Sequence, residues 1–456
     1  MSLARYPDYK RTRVTWVAEV PAHWSVAAVG YRYEVLLGKM LDEKRITGEH
    51  LAPYLRNVDV QWDRINVENL PEMDFSGSDL VRYALTIGDL LVCEGGEVGR
   101  AAIWQGELNE CYYQKALHRL RCWDPTSDTP RFMLYLLRAA TSLNVFTASE
   151  GKSTIAHLTA ETLRSYRFAF PPLHEQKQIV SFLDRETGKI DALIAEQEKL
   201  LTLLAEKRQA TISQAVTRGL NPNAPMKDSG VAWLGEVPAH WKVRKASYDC
   251  DVLSGFAFPS AGFSLDDSGV KLLRGVNVGI GALRWDDVVY WNRVPNDGLD
   301  TFELRPGDIV LGMDRPWISG GLRVARVSDD DIPCLLLQRV AAIRTGTALH
   351  ADYLYLMLQA GYFFDHCSPE MTGVSVPHIS PEQIRSFVIP VPPFDEQFEI
   401  AAFVNTEGAK LDALRVEAQR SIELLKQRRS ALIAAAVTGK IDVRGAVAQE
   451  QEELAA

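Results

Sequence analysis

The chain has 456 residues, of which 46% are hydrophobic and 24% are charged, and this ordinary composition excludes a wholly disordered chain. Its length exceeds what one compact core needs and predicts two to four domains. The formal net charge of −9 weighs mildly against nucleic acid as a ligand, because phosphate binding usually leaves a basic footprint. A basic groove can nevertheless lie on an acidic molecule.

The sequence predicts a cytoplasmic protein without a membrane partner. It has no run of 18 apolar residues, and its start, MSLARYPDYK, lacks the apolar core of a secretory signal. The six cysteines are scattered and none forms a CxxC motif, which indicates reduced thiols. Neither the cysteines nor the nine histidines show the spacing of metal ligands, so we predict no metal site.

Two copies of one pattern follow each other along the chain. WVAEVPAHW begins at Trp16, and WLGEVPAHW begins at Trp233. His157–Thr217 aligns without a gap with His378–Thr438, and 24 of these 61 positions are identical. Random pairing would give roughly four identities. The intervening regions share only landmarks, such as LRNVDV with LRGVNV and IGDLLV with PGDIVL. Two globules with one scaffold and different surfaces indicate two related targets.

Each matched segment predicts a long helix. FPPLHEQ (170–176) and VPPFDEQ (391–397) open the segments with a double proline, which commonly precedes a helix. Apolar residues then recur at steps of three and four, as in coiled coils, and Gly219 and Gly439 supply the helix ends. A helix of about 40 residues is roughly 60 Å long. The residues that we assign to helix pairing or partner binding are Ile190, Leu193, Leu200, Leu204, Leu411, Leu414, Ile422 and Leu425.

We therefore predict an α+β protein in which two mixed α/β globules are separated by two long antiparallel coiled-coil helices. The internal repeat would give the chain a pseudo-two-fold axis. The predicted boundaries are a first globule over 1–172, a helix over 173–222, a second globule over 223–393, a second helix over 394–445 and a disordered tail over 446–456.

The order of these motifs resembles the specificity subunits of type I restriction-modification systems. The strings that carry the resemblance are EVPAHW, the Gly-Asp pairs at 88–89 and 307–308, GKSTIAHL (151–158), GVSVPHI (373–379) and the P-P-x-x-E-Q helix starts. Each string alone is weak, but their order, repeated twice, is specific and covers nearly the whole chain.

The resemblance implies a division of labour in phage defence. Each globule would be a target recognition domain that reads one half of a split, asymmetric site in double-stranded DNA, and the helices would set the unread gap. The chain itself would have no catalytic residue and no cofactor. Two methyltransferase subunits would supply S-adenosylmethionine and adenine-N6 methylation, and motor-nuclease subunits would use ATP and magnesium for restriction.

Candidate DNA-binding residues follow from side-chain chemistry, since arginine matches guanine edges and Asn or Gln matches adenine edges. In the first globule they are Lys39, Arg45, Arg56, Asn57, Arg100, Gln114, Lys115 and Lys152. In the second they are Arg274, Asn277, Arg315, Trp317, Arg323, Gln338 and Arg339. Matched positions such as Arg56 and Arg274 suit shared backbone contacts, and positions that differ suit base reading.

Motifs for chemistry are absent from the sequence. FPPL and VPPF lack the polar first residue with which an adenine methyltransferase holds its flipped base. Gly151-Lys152-Ser153-Thr154 lacks the glycine that a phosphate-binding loop needs five residues earlier. A self-contained restriction enzyme is therefore disfavoured. The remaining alternative is a two-globule coiled-coil protein scaffold that binds no DNA, which the acidic charge favours slightly.

Overall fold

A computed structural model of the chain describes residues 4–40, 47–147, 157–371 and 377–446. The described chain forms two compact units, the first from residues 1–198 and 420–456 and the second from 199–419. Each unit therefore contains one globule together with a part of each long helix. Within the described residues, no helix is both long enough and apolar enough to cross a membrane.

The first unit is a mixed α/β globule made of short elements. Its strands are β1 Tyr9–Val14, β2 Val17–Pro21, β3 Ser25–Ala28, β4 Tyr33–Leu37, β5 Leu51–Leu55, β6 Val60–Gln61, β7 Arg64–Ile65, β8 Glu72–Asp74, β9 Leu90–Cys93, β10 Ala101–Ile103, β11 Tyr112–Tyr113, β12 Leu117–Cys122 and β13 Arg167–Phe170. Its helices are α1 Val29–Arg32, α2 Asp79–Arg82, α3 Pro130–Ser142 and α4 Ala160–Ser165, followed by the start of the long α5 Leu173–Arg218.

The second unit has the same kind of composition. Its strands are β14 Met226–Asp228, β15 Glu236–Pro238, β16 Lys242–Lys245, β17 Cys250–Ser254, β18 Val270–Leu273, β19 Tyr290–Trp291, β20 Ile309–Gly312, β21 Trp317–Ile318, β22 Gly321–Leu322, β23 Val324–Arg326, β24 Cys334–Leu336, β25 Val340–Thr345 and β26 Val388–Val391. Its helices are α6 Ala351–Gln359, α7 Tyr362–Met371 and α8 Pro381–Ser386, followed by the start of the long α9 Phe394–Val437.

The four-stranded and three-stranded sheets of the two units correspond strand for strand. The four-stranded order β10-β9-β12-β4 in the first unit matches β23-β20-β25-β17 in the second, and all neighbours are antiparallel. The three-stranded order β11-β5-β8 matches β24-β18-β19, with one parallel pair in each. Fully buried runs such as LLVC in β9 and IVLG in β20 explain why these strands lie at the centre of each globule.

The helix α3 and its counterpart α6 pack against the sheets of their units. Thr129 caps α3 by accepting a hydrogen bond from the backbone N–H of Arg131, and Pro130 occupies the first helical position, where its missing N–H costs nothing. His350 caps α6 in the same way through Asp352. Most apolar side chains of both helices are buried in the core of their unit. This packing fixes the position of each helix and of its N-terminus.

A glutamate joins the start of each long helix to the EVPAHW motif of the same copy. Glu175 is fully buried and lies 2.6 Å from the hydroxyl of Tyr6, 2.7 Å from Nε2 of His23 and 3.0 Å from Nε1 of Trp24. Burial and the bond to Glu175 raise the pKa of Tyr6 far above its usual value, so the phenol stays a donor. The carboxylate thus has three partners, as a buried charge requires.

The second unit repeats this joint. Glu396 lies 2.8 Å from Nε2 of His240 and 3.1 Å from Nε1 of Trp241, which is completely buried. The next residue is a buried glutamine in both copies. The amide of Gln176 accepts from the N–H of Thr129, and that of Gln397 accepts from the N–H of His350. The two residues of the E-Q pair therefore lock each long helix to its globule.

The far end of each long helix packs on the EVPAHW motif of the other copy. Gly439 follows α9, and a Cβ built there would lie only 2.3 Å from Pro21 and 3.4 Å from Trp24. Gly219 follows α5, and a Cβ there would lie 3.1 Å from Trp241. Both glycines have a positive φ, 73° and 71°. The predicted helix ends thus coincide with the places where only glycine fits.

Cross-helix ion pairs also recur at equivalent positions. In the first unit Asp191 of α5 pairs with Arg429 of α9. In the second unit Asp412 of α9 pairs with Arg208 of α5 at 2.6 Å. Asp191 and Asp412 occupy the same position of the two copies, and so do Arg208 and Arg429. Each unit therefore holds one aspartate and one arginine from different copies.

The predicted stripe residues of the long helices divide into two sets. Ile190, Leu204, Leu411 and Ile422 are buried, and Leu425 is half-buried. Leu193, Leu200 and Leu414 are exposed, with 46% of Leu193 and 53% of Leu414 accessible to solvent. The first set packs inside its unit. The second set, in which Leu193 and Leu414 are equivalent, lies on an outward face.

We predict that Gly439→Ala destabilises the first unit more than Gly77→Ala does. Gly77 also has a positive φ, 56°, but a Cβ there would meet nothing within 4 Å. G77A should cost about 1 kcal/mol through backbone strain alone, whereas G439A should cost about 2–4 kcal/mol because overlap with Pro21 and Trp24 is added. Urea unfolding of both variants measures the difference, and equal costs would contradict the packing described.

Candidate nucleic-acid interface

The aspartates of the two Gly-Asp motifs stabilise turns. Asp89 is buried and binds Arg121 at 2.6 Å, and Asp308 is buried and binds Arg344 at 2.9 Å. Each carboxylate also accepts a backbone N–H three residues earlier. The oxygens of both carboxylates thus accept hydrogen bonds from residues of the same unit. The motif therefore carries the scaffold, which explains why both copies retain it.

The matched arginines Arg56 and Arg274 each begin a single 3₁₀ turn. The guanidinium of Arg56 donates two bonds to Asp59, and Arg274 pairs with Asp287 at 2.8 Å. Asn277, the counterpart of Asp59, is buried and accepts from the N–H of Arg274 while its amide N–H₂ donates to two backbone carbonyls. The assignment of these residues to DNA stays a prediction, and the burial of Asn277 disfavours it there.

In the first unit a cluster forms around Asn57 and Arg100. The Asn57 amide donates to the carbonyl of Gly95 at 3.0 Å and accepts from Arg100 at 2.9 Å. Arg100 also donates to the backbone carbonyl of Asn57, so it fixes this loop from two sides. Lys115 lies on the turn between β11 and β12. The carbonyl of Ala116, the last residue of this turn, also accepts from the Asn57 amide. The side chain of Lys115 is exposed.

In the second unit a basic cluster surrounds Asp314. Its carboxylate binds Arg339 at 2.8 Å and Nδ1 of His378 at 2.7 Å, and its carbonyl accepts from Arg323 at 3.0 Å. Burial acts to raise the pKa of Asp314, but the bonds from His378 and Arg339 outweigh it and lower that pKa. Arg315 extends from the same loop and is exposed. Two predicted arginines, Arg323 and Arg339, thus bind Asp314, and a third, Arg315, is the next residue in the chain.

Two other candidates have partners away from these clusters. Lys39 pairs with Asp79 at 2.7 Å and lies 4.9 Å from the ring centre of Phe75. Trp317 is half-buried and packs edge-on against Phe364, with ring centres 5.0 Å apart. Both side chains therefore have structural contacts that a nucleic acid would have to share or displace.

The remaining candidates differ in what they offer to solvent. Lys115, Arg315 and Gln338 are exposed, and Gln114 is half-buried. Within the described part of the chain, the side chains of Lys115 and Arg315 make no ion pair. They are consequently the two cations best placed to contact an anionic ligand. Arg45 and Lys152 lie outside the described residues.

Sequence reasoning assigned no role to several residues that shape these clusters. Asp314 and His378 organise the basic cluster, yet an acidic residue in a basic loop gives no signal by itself. Glu175 and Gln176 position the helix start, and their signal was visible, because the E-Q pair is identical in both copies. Identity between copies therefore marks the scaffold more reliably than it marks a ligand site.

The clusters can bind anions but show no arrangement for chemistry. Burial raises the pKa of Cys93 to about 11, so the thiol next to the Asn57 cluster stays protonated at neutral pH. Burial lowers the pKa of Arg323, although a guanidinium remains charged. The described residues contain no group of three or more His, Cys, Asp or Glu side chains that could hold a metal ion. Charge and hydrogen bonding are what these surfaces offer.

Comparisons with known proteins point in one direction. The family described as "Type I restriction modification DNA specificity domain" matches residues 79–202. The chain is 29% identical over 434 residues to the type I restriction enzyme MjaVIII specificity subunit of Methanocaldococcus jannaschii, covering 93% of this chain and 94% of that protein. It is 33% identical over 206 residues to the EcoAI specificity subunit of Escherichia coli, covering 44% and 34%.

Solved structures show the same fold at lower identity. One, titled as the structural basis of complex assembly and conformational transition of the type I R-M system, superposes with a TM-score of 0.71 at 17% identity, covering 92% of this chain and 99% of that one. The HsdS subunit from Thermoanaerobacter tengcongensis gives a TM-score of 0.53 at 18% identity, covering 92% and 98%.

We predict that Arg100→Met destabilises the first unit by about 1–3 kcal/mol, because it leaves the part-buried acceptors of Asn57 without their charged donor. Arg315→Ala is the matched control, since truncating an exposed surface side chain should change stability by less than about 0.5 kcal/mol. The free energy of unfolding from urea titration measures both. Equal stability of R100M and the unaltered protein would show that Arg100 is no structural clamp.

Proposed function

We propose that the chain, which is similar over 93% of its length to a type I restriction enzyme specificity subunit, is a non-catalytic subunit of this family and reads a split DNA sequence for partner enzymes. Each unit would be a target recognition domain for one half-site. The observation that carries the proposal is the pairing of matched sheets with unmatched loops, because a shared scaffold with different exposed side chains suits two different half-sites.

The long helices support the proposed spacing of the two half-sites. The recurring Asp–Arg pairs and the packing of each terminal glycine on the other copy favour antiparallel helices related by a pseudo-two-fold axis. A rigid pair of this kind would fix the length of the unread gap. The outward set of apolar residues, with Leu193 and Leu414 at equivalent positions, would offer the same surface twice to two methyltransferase subunits.

The partners would supply the chemistry that this chain does not carry. We propose that methyltransferase subunits bring S-adenosylmethionine and modify adenine N6, and that motor-nuclease subunits with ATP and magnesium cleave unmodified DNA. A split site read by two different globules is asymmetric, so each strand of the DNA would present one target adenine in one half-site. The alternative, a scaffold that binds no DNA, differs from this proposal in having no sequence-dependent ligand.

We predict that Lys115→Ala weakens binding to specific and scrambled duplexes alike. Lys115 is exposed and would contact phosphates as a point charge, so its loss should reduce the slope of log K against log salt by about 1. Fluorescence anisotropy at several salt concentrations measures this slope. Asn57→Ala, which alters a loop residue in the same cluster, is the comparison, and weakening confined to the specific duplex with K115A would contradict a phosphate contact.

We predict that methylated adenines in a host expressing this chain with its methyltransferase partner define one split motif methylated on both strands. Arg315→Ala should relax only the half of the motif that the second unit reads, and a change in the Asn57 cluster should relax only the other half. Single-molecule sequencing of the methylated genome identifies the motif of the unaltered chain and that of each variant.

Three outcomes would count against the proposal. A continuous palindromic motif would contradict two different globules. Relaxation of both halves by one variant would contradict independent reading. The absence of any methylated motif, with no DNA binding by the purified chain, would favour the scaffold alternative.

A further inference from the structure

A cavity of about 490 Å³ lies in the second unit, between the globule and the two long helices. The globule contributes Ile280, Gly281, Gly320 and Gln359 to its wall, among others. The helices contribute apolar positions such as Leu204 and Ile212 together with charged ones. The cavity is therefore part apolar and part polar, as sites that bind small groups usually are.

The first unit fills the equivalent place with its own side chains. Trp62 aligns with Ile280 in the matched LRNVDVQW and LRGVNVGI strings. The indole N–H of Trp62 donates to Glu97 at 2.7 Å, and the guanidinium of Arg138 lies 5.5 Å from the ring centre. These three side chains form a plug, and Asp63, the residue after Trp62, pairs with Arg131.

Every component of that plug is replaced by a smaller residue in the second unit. Glu97 of EVGR corresponds to Gly320 of GGLR, and the neighbouring valine corresponds to Gly321. Arg138 of α3 corresponds to Gln359 of α6, and Asp63 corresponds to Gly281. A Cβ at Gly320 would approach Ile280 at 3.4 Å, which confirms that these positions meet as their counterparts do. The cavity is the space that the plug would occupy.

The charges around the cavity leave one cation in excess. Arg208 pairs with Asp412 at 2.6 Å, and Arg415 lies 3.6 Å from the same carboxylate. Two guanidinium groups thus share one carboxylate, and a second carboxylate would be attracted to this end of the cavity. In the first unit the aspartate next to the ring, Asp63, pairs with Arg131, whose counterpart in the second unit is Asp352, so the attraction of a carboxylate here rests on the excess cation alone.

We propose that this cavity is a docking site for an aromatic side chain next to a carboxylate, presented by a polypeptide partner. The ring would lie where Trp62 lies in the first unit, against Ile280 and the glycine backbone. The carboxylate would bind Arg415 and Arg208. The first unit carries its own plug, so among the described residues the cavity is open in the second unit alone, and the two otherwise matched units differ to a partner.

The test titrates the full chain, labelled at isoleucine δ1 methyl groups, with the dipeptide N-acetyl-Trp-Asp-amide. The methyl signal of Ile212 should shift with a dissociation constant on the order of 1 mM, as expected of one ring and one ion pair. N-acetyl-Ala-Asp-amide should bind at least about tenfold more weakly, because it lacks the ring.

Three variants decide the result. Ile280→Trp with Gly320→Glu rebuilds the plug and should abolish the shift. Leu265→Trp adds a ring at a position that is 84% exposed and should leave the dissociation constant unchanged. Arg415→Glu keeps the cavity but reverses a charge, and it should weaken N-acetyl-Trp-Asp-amide about tenfold while leaving N-acetyl-Trp-amide unaffected.

Equal chemical-shift changes in the unaltered protein and in I280W/G320E would overturn the proposal. It would also be overturned if the methyl signals of all isoleucines shifted together and did not saturate with increasing dipeptide. If the rebuilt plug prevents folding, the R415E comparison of the two tryptophan ligands decides alone. The titration contains no DNA. Its failure therefore leaves the proposed reading of DNA intact, and a chain that bound no DNA could still bind the dipeptide.

Discussion

The rest of the structure depends on a carboxylate at the start of each long helix that is held by hydrogen bonds, fully buried at Glu175 and 25% exposed at Glu396. Glu175 and Glu396 each begin a long helix, and each is held by the tryptophan and histidine of an EVPAHW motif. Removing the partners of a buried charge costs several kcal/mol. The first turn of each helix is therefore fixed to its globule, and the direction of the helix is set where it starts.

The same tryptophans also receive the far helix ends. Trp24 packs against Gly439 and Trp241 packs against Gly219, so each EVPAHW motif contacts its own helix start and the other copy's helix end. Neither unit is built from one copy of the repeat alone. This exchange explains why the helices and the motif retain their sequence while the loops between them have diverged. A change in the helices or the motif would affect the packing of both copies at once. A change in a loop would affect only the ligand that this loop contacts.

Much of the scaffold could be predicted from the sequence, because periodicity and repetition report directly on helices and on shared packing. The double prolines and the apolar steps placed the long helices, and Gly219 and Gly439 marked their ends. The partners of Glu175 could not be predicted, since they come from a motif more than a hundred residues earlier. Only the fold brings such distant residues together.

The candidate interface was less predictable for a physical reason. Arginine side chains bind nucleic acids, and they also pair with carboxylates of their own chain. The sequence alone does not distinguish these two roles. Arg56, Arg274 and Arg323 are held within the chain, whereas Lys115 and Arg315 extend freely into solvent. Burial separates them, and burial depends on tertiary contacts. The cavity beside Ile280 escaped sequence analysis for the same reason, because small residues give no signal until their neighbours are known.

The exchange of helix ends between the copies is tested most directly by hydrogen exchange in a chain truncated after Gln419. The truncation removes the end of α9 that supplies Arg429 and Gly439 to the first unit, and it leaves residues 199–419 complete as an internal control. We expect faster amide exchange in β3 and β13 of the first unit, with unchanged protection in β20 and β25 of the second. Unchanged protection in both units would show that each copy of the repeat folds by itself, and the account would be wrong.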